Sequence, residues 1–240
     1  MTTQLFCIPH AGAAAQSYAK FQPALSDVAN VITVELAGHG ARMRETLPTT
    51  LAAHVTDLVP RIRERINGPF AFFGHSLGTL LSFEILRTLE ADGLVASHAI
   101  LSGRYTPDLR PTSEWYTAPD GAFLGMIRRI GNTDPAVFDH PDLAKVFVPI
   151  LRADYQVAET FELEEPGRIL QCPITALAGG MDGIVSHRQL ARWKEFTSGS
   201  FRHELVPGGH FYLFDDIDRT ARTIRAALTG TSAIDGEAEK

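Results

Sequence analysis

The chain has 240 residues, enough for one sizeable core and short for two independent domains. Hydrophobic residues make up 45% and charged residues 21%, the balance of an ordinary globular protein, which excludes disordered and fibrous classes. The net charge is −6 and the 22 Lys and Arg are scattered, so the basic stripe that a nucleic-acid partner requires is absent.

The first apolar run, residues 5–8, is too short for a signal-peptide core and has no positive flank. It reads instead as part of a buried strand at 5–9. A helical pattern at 18–26 follows, then a strand at 31–36, a helix at 51–66, a strand at 70–74 and a helix at 77–91. The run at 77–91 is broken by Ser82, Glu84, Arg87 and Thr88, so it does not read as a membrane span. A strand at 98–102 comes next. After a long interval come a strand at 174–178, a helix at 187–197, a strand at 201–206 and a helix at 212–228. Most of these strands are nearly continuous apolar runs, as parallel strands covered on both faces are. Strand and helix in alternation predict an α/β fold, a mostly parallel sheet with helices on both faces. Cys7 and Cys172 both fall in apolar strand-like runs and read as buried thiols rather than a disulfide, consistent with a cytoplasmic protein.

The interval between the strands at 98–102 and 174–178 is far longer than one crossover needs. Its helical periodicity at 120–130 and 142–161, with turns at 132–135 and 140–141, predicts a helical lid inserted at about 105–168 in a single domain spanning 1–240. Sites in such sheets lie at the carboxyl edge of the strands, where the insertion would cover them. The end of the chain, 231–240, is small and polar and reads as frayed.

Gly74-His75-Ser76-Leu77-Gly78 fits G-x-S-x-G. The pattern alone is weak, but here a short buried strand precedes it and a strong helix former run follows. Strand, tight turn and helix form the nucleophile elbow of an α/β-hydrolase, which makes Ser76 the candidate nucleophile. The alternative is a structural Gly-Ser turn. Triad order in this fold is serine, acid, histidine, with the histidine after the last strand. His210, delivered by Pro207-Gly208-Gly209, meets that requirement as the base. His203 lies within the strand pattern, and His75 sits beside the serine, where a packing role suits it better. Asp182, carried past the fifth strand by Gly179-Gly180-Met181, is the candidate that orients His210. The alternative for it is a loop aspartate capping backbone amides. Asp108, Asp134 and Asp154 fall in the insertion and are poorer choices. An anionic oxygen formed on attack needs fixed donors. The amide of Leu77 is one, and the small-residue loop His10-Ala11-Gly12-Ala13 offers the amide of Ala11 as the other.

Together, Cys7-Ile8-Pro9-His10-Ala11-Gly12, the elbow, Leu101-Ser102-Gly103-Arg104, Leu151-Arg152-Ala153-Asp154-Tyr155 and Gly208-Gly209-His210-Phe211-Tyr212 resemble the type II thioesterases, stand-alone enzymes accompanying nonribosomal peptide and polyketide synthases. The resemblance covers residues 4–228, lid included. The sequence departs from the family pattern at Gly12-Ala13, where a glycine pair is usual, and at Ala37-Gly38-His39, where Pro-Gly-Arg is common.

The resemblance implies hydrolysis of acyl thioesters on the phosphopantetheine arm of an acyl or peptidyl carrier protein, through an acyl-Ser76 intermediate. It implies no cofactor in this chain, since the phosphopantetheine belongs to the substrate, and nothing demands more than a monomer. No metal site, nucleic acid or membrane partner is expected. Lid residues Phe123, Met126, Ile127, Phe147 and Ile150 read equally as an apolar wall for the acyl chain or as buried helix faces. Arg128 and Arg129, and Arg42 and Arg44, are candidate contacts for an acidic carrier, or merely solvated faces. The competing readings are a small-molecule esterase, an acyltransferase and a non-catalytic binding protein on the hydrolase fold.

Overall fold

The computed structural model describes residues 2–131 and 140–231. The turn expected at 132–135, Asp134 with it, and the tail beyond Thr231 lie outside the described residues.

Six strands form one sheet: β1 (Thr3–Ile8), β2 (Ala29–Thr33), β3 (Phe70–His75), β4 (His98–Ser102), β5 (Ile174–Gly179) and β6 (Phe201–Val206). Their order is β2-β1-β3-β4-β5-β6, and every neighbouring pair is parallel. The chain starts one strand in from the edge, steps outward to β2, then crosses back over β1 to β3. The direction of winding reverses between β1 and β3, and that reversal opens a crevice beyond their carboxyl ends.

Alternate residues of each central strand enter different cores. Phe6 and Ile8 of β1 join Phe72 and Leu101 on the face covered by α2 (Leu51–Arg63) and α3 (Leu77–Ala91). Leu5 and Cys7 join Phe73, Ile100, Tyr18 and Phe21 on the face covered by α8 (Ile217–Thr229). Burial on both faces is the reason these strands lack polar alternation. β6, at the sheet edge, keeps Arg202, His203 and Glu204 partly or fully exposed.

Several boundaries differ from expectation for local reasons. β2 ends at Thr33, paired with Cys7, short of the expected residue 36, and one further hydrogen bond to β1, from Val34 N–H to Cys7 O at 3.1 Å, follows it. The helix expected at 18–26 is a 3₁₀ stretch, Ala15–Phe21, followed by one turn of α1 (Gln22–Leu25). The helix expected at 187–197 is α6 (His187–Ala191) tightening into a 3₁₀ stretch, Arg192–Phe196. The helix expected at 212–228 is split into α7 (Tyr212–Asp215) and α8. Asp216 adopts an extended conformation and accepts the Arg219 amide at 2.9 Å, so its side chain caps a new helix instead of continuing the old one. His140-Pro141 is the start of a helix rather than a turn, with proline at the first position, where its missing N–H costs nothing.

Between β4 and β5 the insertion carries α4 (Asp120–Ile130) and α5 (Pro141–Thr160). Phe123, Met126 and Ile127 of α4 pack on Val148 and Leu151 of α5. The first half of α5 leaves Leu143, Val146 and Phe147 exposed, whereas its second half buries Leu151, Asp154 and Val157. The chain is tied back to the sheet layer by Arg87, a buried side chain on α3 that donates to the carbonyls of Glu164 and Glu165, each at 3.0 Å. No helix among the described residues is long and apolar enough to cross a membrane.

Candidate active site

Ser76 sits between β3 and α3 at φ 54°, ψ −113°, a conformation that costs an L-residue about 1–3 kcal/mol and persists only where its surroundings impose it. The imposing contacts are visible. Ser76 N–H donates to Ser102 O at 2.8 Å, and the Thr79 hydroxyl bridges Gly74 O and Ser102 O at 2.9 and 2.7 Å, binding the turn to β4. A Cβ on Gly74 would lie 2.3 Å from Gly78 O, and one on Gly78 would lie 2.1 Å from Ile8 O. Both elbow glycines are therefore required by backbone packed against backbone. Leu77, as the first residue of α3, has an amide with no acceptor inside the helix.

Asp182 and His210 arrive on loops packed together with equal closeness. Gly180 N–H donates to Val206 O at 2.7 Å and Met181 N–H to Gly208 O at 2.9 Å; a Cβ on Gly179 would meet Gly209 O at 2.1 Å. His210 Nδ1 lies 2.9 Å from Asp182 Oδ2, and Asp182 Oδ1 accepts the Ile184 amide at 2.8 Å. The carboxylate is fully buried and the imidazole almost so. A carboxylate accepts only, so Nδ1 carries the hydrogen and Nε2 is left with its lone pair. Ser76 and His210 line one cavity with His10, Ala11, Ile127 and Leu151. Ser76, Leu77 and Ala11 line an adjoining, larger cavity walled by Arg104, Tyr105, Trp115, Met126 and Tyr155. All five residues singled out in the sequence thus meet beyond the carboxyl ends of β1, β3, β5 and β6.

The loop after β1 commits its amides around one exception. His10 N–H donates to the Tyr18 hydroxyl (3.3 Å), Gly12 N–H to Asp154 Oδ2 (2.7 Å) and Ala13 N–H to His10 O (3.1 Å). Among the described residues, Ala11 N–H is the amide of this run that meets no acceptor, and Ala11 faces both cavities.

What backs His210 has no local signature in the chain. The His75 ring packs on it at 4.9 Å between centroids, and Phe211 does so from another side at the same distance. His75 Nδ1, Ser102 Oγ and the Tyr212 hydroxyl form a buried chain of hydrogen bonds at 2.9 and 2.8 Å. Tyr212, two residues beyond His210, thereby anchors the His210 loop to β4. Burial, then the nearby His210, holds His75 neutral with its pKa well below the ordinary value. The same causes lower His10 to about 3. His210 therefore has no cationic neighbour among these rings.

Other expectations divide. Met126 and Ile127 do face the cavities, but Phe123 is interior to the α4–α5 contact and Phe147 is exposed on the far side of α5. Arg128, Arg129 and Arg44 are exposed. Arg42 is not a free cation: it pairs with Glu45 (2.5 Å) and Asp57 (2.7 Å) and donates to Glu35 O, so its charge is already balanced. His203 sits on β6 with its Nε2 3.0 Å from that of His187, away from the cavities.

Comparison with known proteins agrees with this architecture. The sequence matches the family model described as thioesterase domain over residues 3–228. It is 35% identical to the thioesterase PikA5 of Streptomyces venezuelae, over 99% of this chain and 89% of that one. Among solved structures, the type II thioesterase BorB from the borrelidin biosynthetic cluster superposes with a TM-score of 0.87 at 33% identity, covering 95% of this chain and 93% of BorB. ClbQ from the colibactin NRPS/PKS pathway superposes with a TM-score of 0.90 at 29% identity, covering 96% and 98%. With its α/β-hydrolase sheet and a family match spanning nearly its whole length, the chain belongs to the thioesterase family, hydrolases of thioester bonds.

Proposed function

We propose that this chain is a stand-alone type II thioesterase that removes acyl groups from the phosphopantetheine arm of a carrier protein, with Ser76 as nucleophile, His210 as base and Asp182 orienting it. The carrying observation is the convergence of a strained Ser76 and an Asp182-bound His210 on one cavity, 2.9 Å separating acid from base. The relatives named for peptide and polyketide assembly pathways support the choice of a carrier-bound substrate.

Ser76 Oγ attacks the thioester carbonyl carbon as its proton passes to His210 Nε2. The amides of Leu77 and Ala11 receive the negative oxygen. The C–S bond breaks, His210 returns the proton to the departing thiolate, and the acyl group stays on Ser76. Water then attacks the ester carbon, giving its proton to His210. Collapse releases the carboxylic acid and returns the proton to Ser76. Asp182 holds the tautomer on which both half-reactions depend. The larger cavity, apolar on the side of Leu77, Tyr105, Trp115, Met126 and Ile184, takes the acyl chain. Exposed Arg129 and Arg44 are basic groups that an acidic carrier could meet.

Intact-protein mass spectrometry of an acyl-loaded carrier protein tests this reading. The wild type should strip the acyl group to leave free thiol, and Ser76→Ala should leave it in place. An acyl group that survives the wild type, while a small ester is cleaved, sinks the carrier-protein reading.

A further inference from the structure

Asp154 was set aside as a catalytic acid, and the triad does not use it. Its carboxylate, 1% exposed, lies on the buried half of α5. Oδ2 accepts the Gly12 amide at 2.7 Å and lies 2.9 Å from His39 Nε2. The other ring nitrogen of His39 lies 3.0 Å from Ala37 O. A carbonyl oxygen only accepts, and so does a carboxylate, so both ring nitrogens must carry hydrogen. His39 is therefore an imidazolium paired with a carboxylate, an arrangement that compensates the cost of burying each charge.

This pair grips the residue next to the open amide. Gly12 stands at φ +77°, with its amide on Asp154 and its Cα so close to Leu151, one helical turn earlier on α5, that a Cβ there would come within 2.4 Å of Leu151 Cδ2. On the other side, His10 is held by the Tyr18 hydroxyl through both its backbone amide and Nδ1 (2.8 Å). Peptide groups are planar, so fixing the Gly12 amide fixes the carbonyl of Ala11 with it. Pinned on both flanks, Ala11 has little freedom to swing its N–H out of the cavity.

We propose that Asp154, charge-paired with His39, is a positioning residue for the oxyanion loop: by holding the Gly12 amide from α5, it aims the Ala11 amide at the developing anion. This rests on the assignment of Ala11 as an oxyanion donor. A charge-assisted bond is roughly twice as strong as a neutral one, which gives a carboxylate the advantage over an amide in this place. The pair also makes the buried half of α5 a fixed post rather than a moving part of the insertion.

The pair lies among other ionisable groups. His54 of α2, held neutral by burial, faces both Asp154 and His39; Glu35 faces His39; Asp57 and Arg42 face His54. Burial opposes the charge on His39, but the hydrogen bond and attraction of Asp154 outweigh it and raise its pKa. Deprotonation of His39 at alkaline pH should then loosen the loop.

The test compares wild type, Asp154→Asn and His39→Gln on a small acyl thioester, with a trifluoromethyl ketone of the same acyl chain as a probe of anion binding and a fluorophosphonate as a probe of Ser76. Asp154→Asn should lose on the order of 10- to 100-fold in kcat with KM within about threefold, and ketone affinity should weaken in parallel. His39→Gln keeps the bond from Gly12 to Asp154 and should lose less, with the alkaline fall of kcat expected of wild type removed. In wild type, ¹⁵N NMR should show His39 doubly protonated at neutral pH. Wild-type kcat in Asp154→Asn, or a kcat loss with unchanged ketone affinity, overturns the proposal. If Asp154→Asn does not fold, a neutral His39 or an unaltered alkaline limb in His39→Gln overturns it. If wild type spares every thioester yet reacts with the fluorophosphonate, the functional reading falls, and the variant-to-wild-type ratio of ketone affinity still decides this proposal.

Discussion

Replacing Gly78 by alanine adds one methyl group where the fold has no room for it. The new Cβ would lie 2.1 Å from Ile8 O and 2.7 Å from Pro9 O. A carbon and a carbonyl oxygen ordinarily approach no closer than about 3.3 Å, so a separation of roughly 1.2 Å must be made up. Neither obstacle is a side chain that can rotate. Ile8 ends β1, which is hydrogen-bonded on both sides, and Pro9 leads directly into the loop bearing Ala11. The start of α3 must therefore move away from the end of β1, parting Ser76 and Leu77 from Ala11. Overpacking of this kind costs about 3 kcal/mol, and at this chain length that lowers Tm by roughly 6–12 °C. A displacement near 1 Å between reacting groups costs about 100-fold in rate. Gly125→Ala is the control: nothing lies within 4 Å of its added Cβ, and in the middle of α4 the change should stabilise by about 0.5–1 kcal/mol. Calorimetry gives Tm, and thiol release from a small acyl thioester gives turnover. Gly78→Ala with wild-type turnover refutes the reasoning, even if Tm falls, because the strain would then have relaxed without separating the two halves of the site.

Asp182→Asn should keep the fold but reverse the tautomer preference of His210, lowering kcat by about 10⁴-fold; a loss under tenfold, measured by the same thiol release, would show that Asp182 does not orient the base. Buried His10, His75 and His98 are held neutral, with His10 lowered to about 3 and His98 to about 4, each chiefly by burial. Below about pH 6.5 the unfolded chain binds protons that these folded sites refuse, so stability falls as pH drops from 6.5 toward 4, by up to about 1.4 kcal/mol per unit per histidine. His39, raised, acts in the opposite sense: its contribution is complete below about pH 6.5 and is lost as pH rises through its folded value. With His54, also held neutral by burial, these sites outnumber His39 four to one, so the urea midpoint should be lower at pH 5 than at pH 7; a midpoint that holds or rises contradicts the burial of neutral histidines. Cys7 and Cys172 are buried, with burial raising both thiols, Cys172 to about 12, and native protein should leave Ellman's reagent unreacted until denaturant is added.

The strand 98–102 and the helices 77–91 and 120–130 were legible to the residue because their signal is local: continuous apolar runs, a 3.6-residue period, a glycine-framed serine between them. The elbow was legible for the same reason, since both of its glycines lie within two residues of Ser76. The order of Ser76, Asp182 and His210 along the chain, each following an apolar strand, singled them out as candidates from nine histidines and many carboxylates. Tertiary structure decided what those residues lean on. Asp154 meets Gly12 across 142 residues of chain and His39 across 115, and Ser102 meets Tyr212 across 110. Arg42 read as a carrier contact or a solvated face until α2 brought Asp57 to it, and Phe147 read equally as a cavity wall or a buried helix face until the exposed half of α5 turned it outward. Periodicity records which way a side chain faces relative to its own element. The partner of a buried polar group depends instead on which distant backbone comes within hydrogen-bonding distance, and no local pattern carries that.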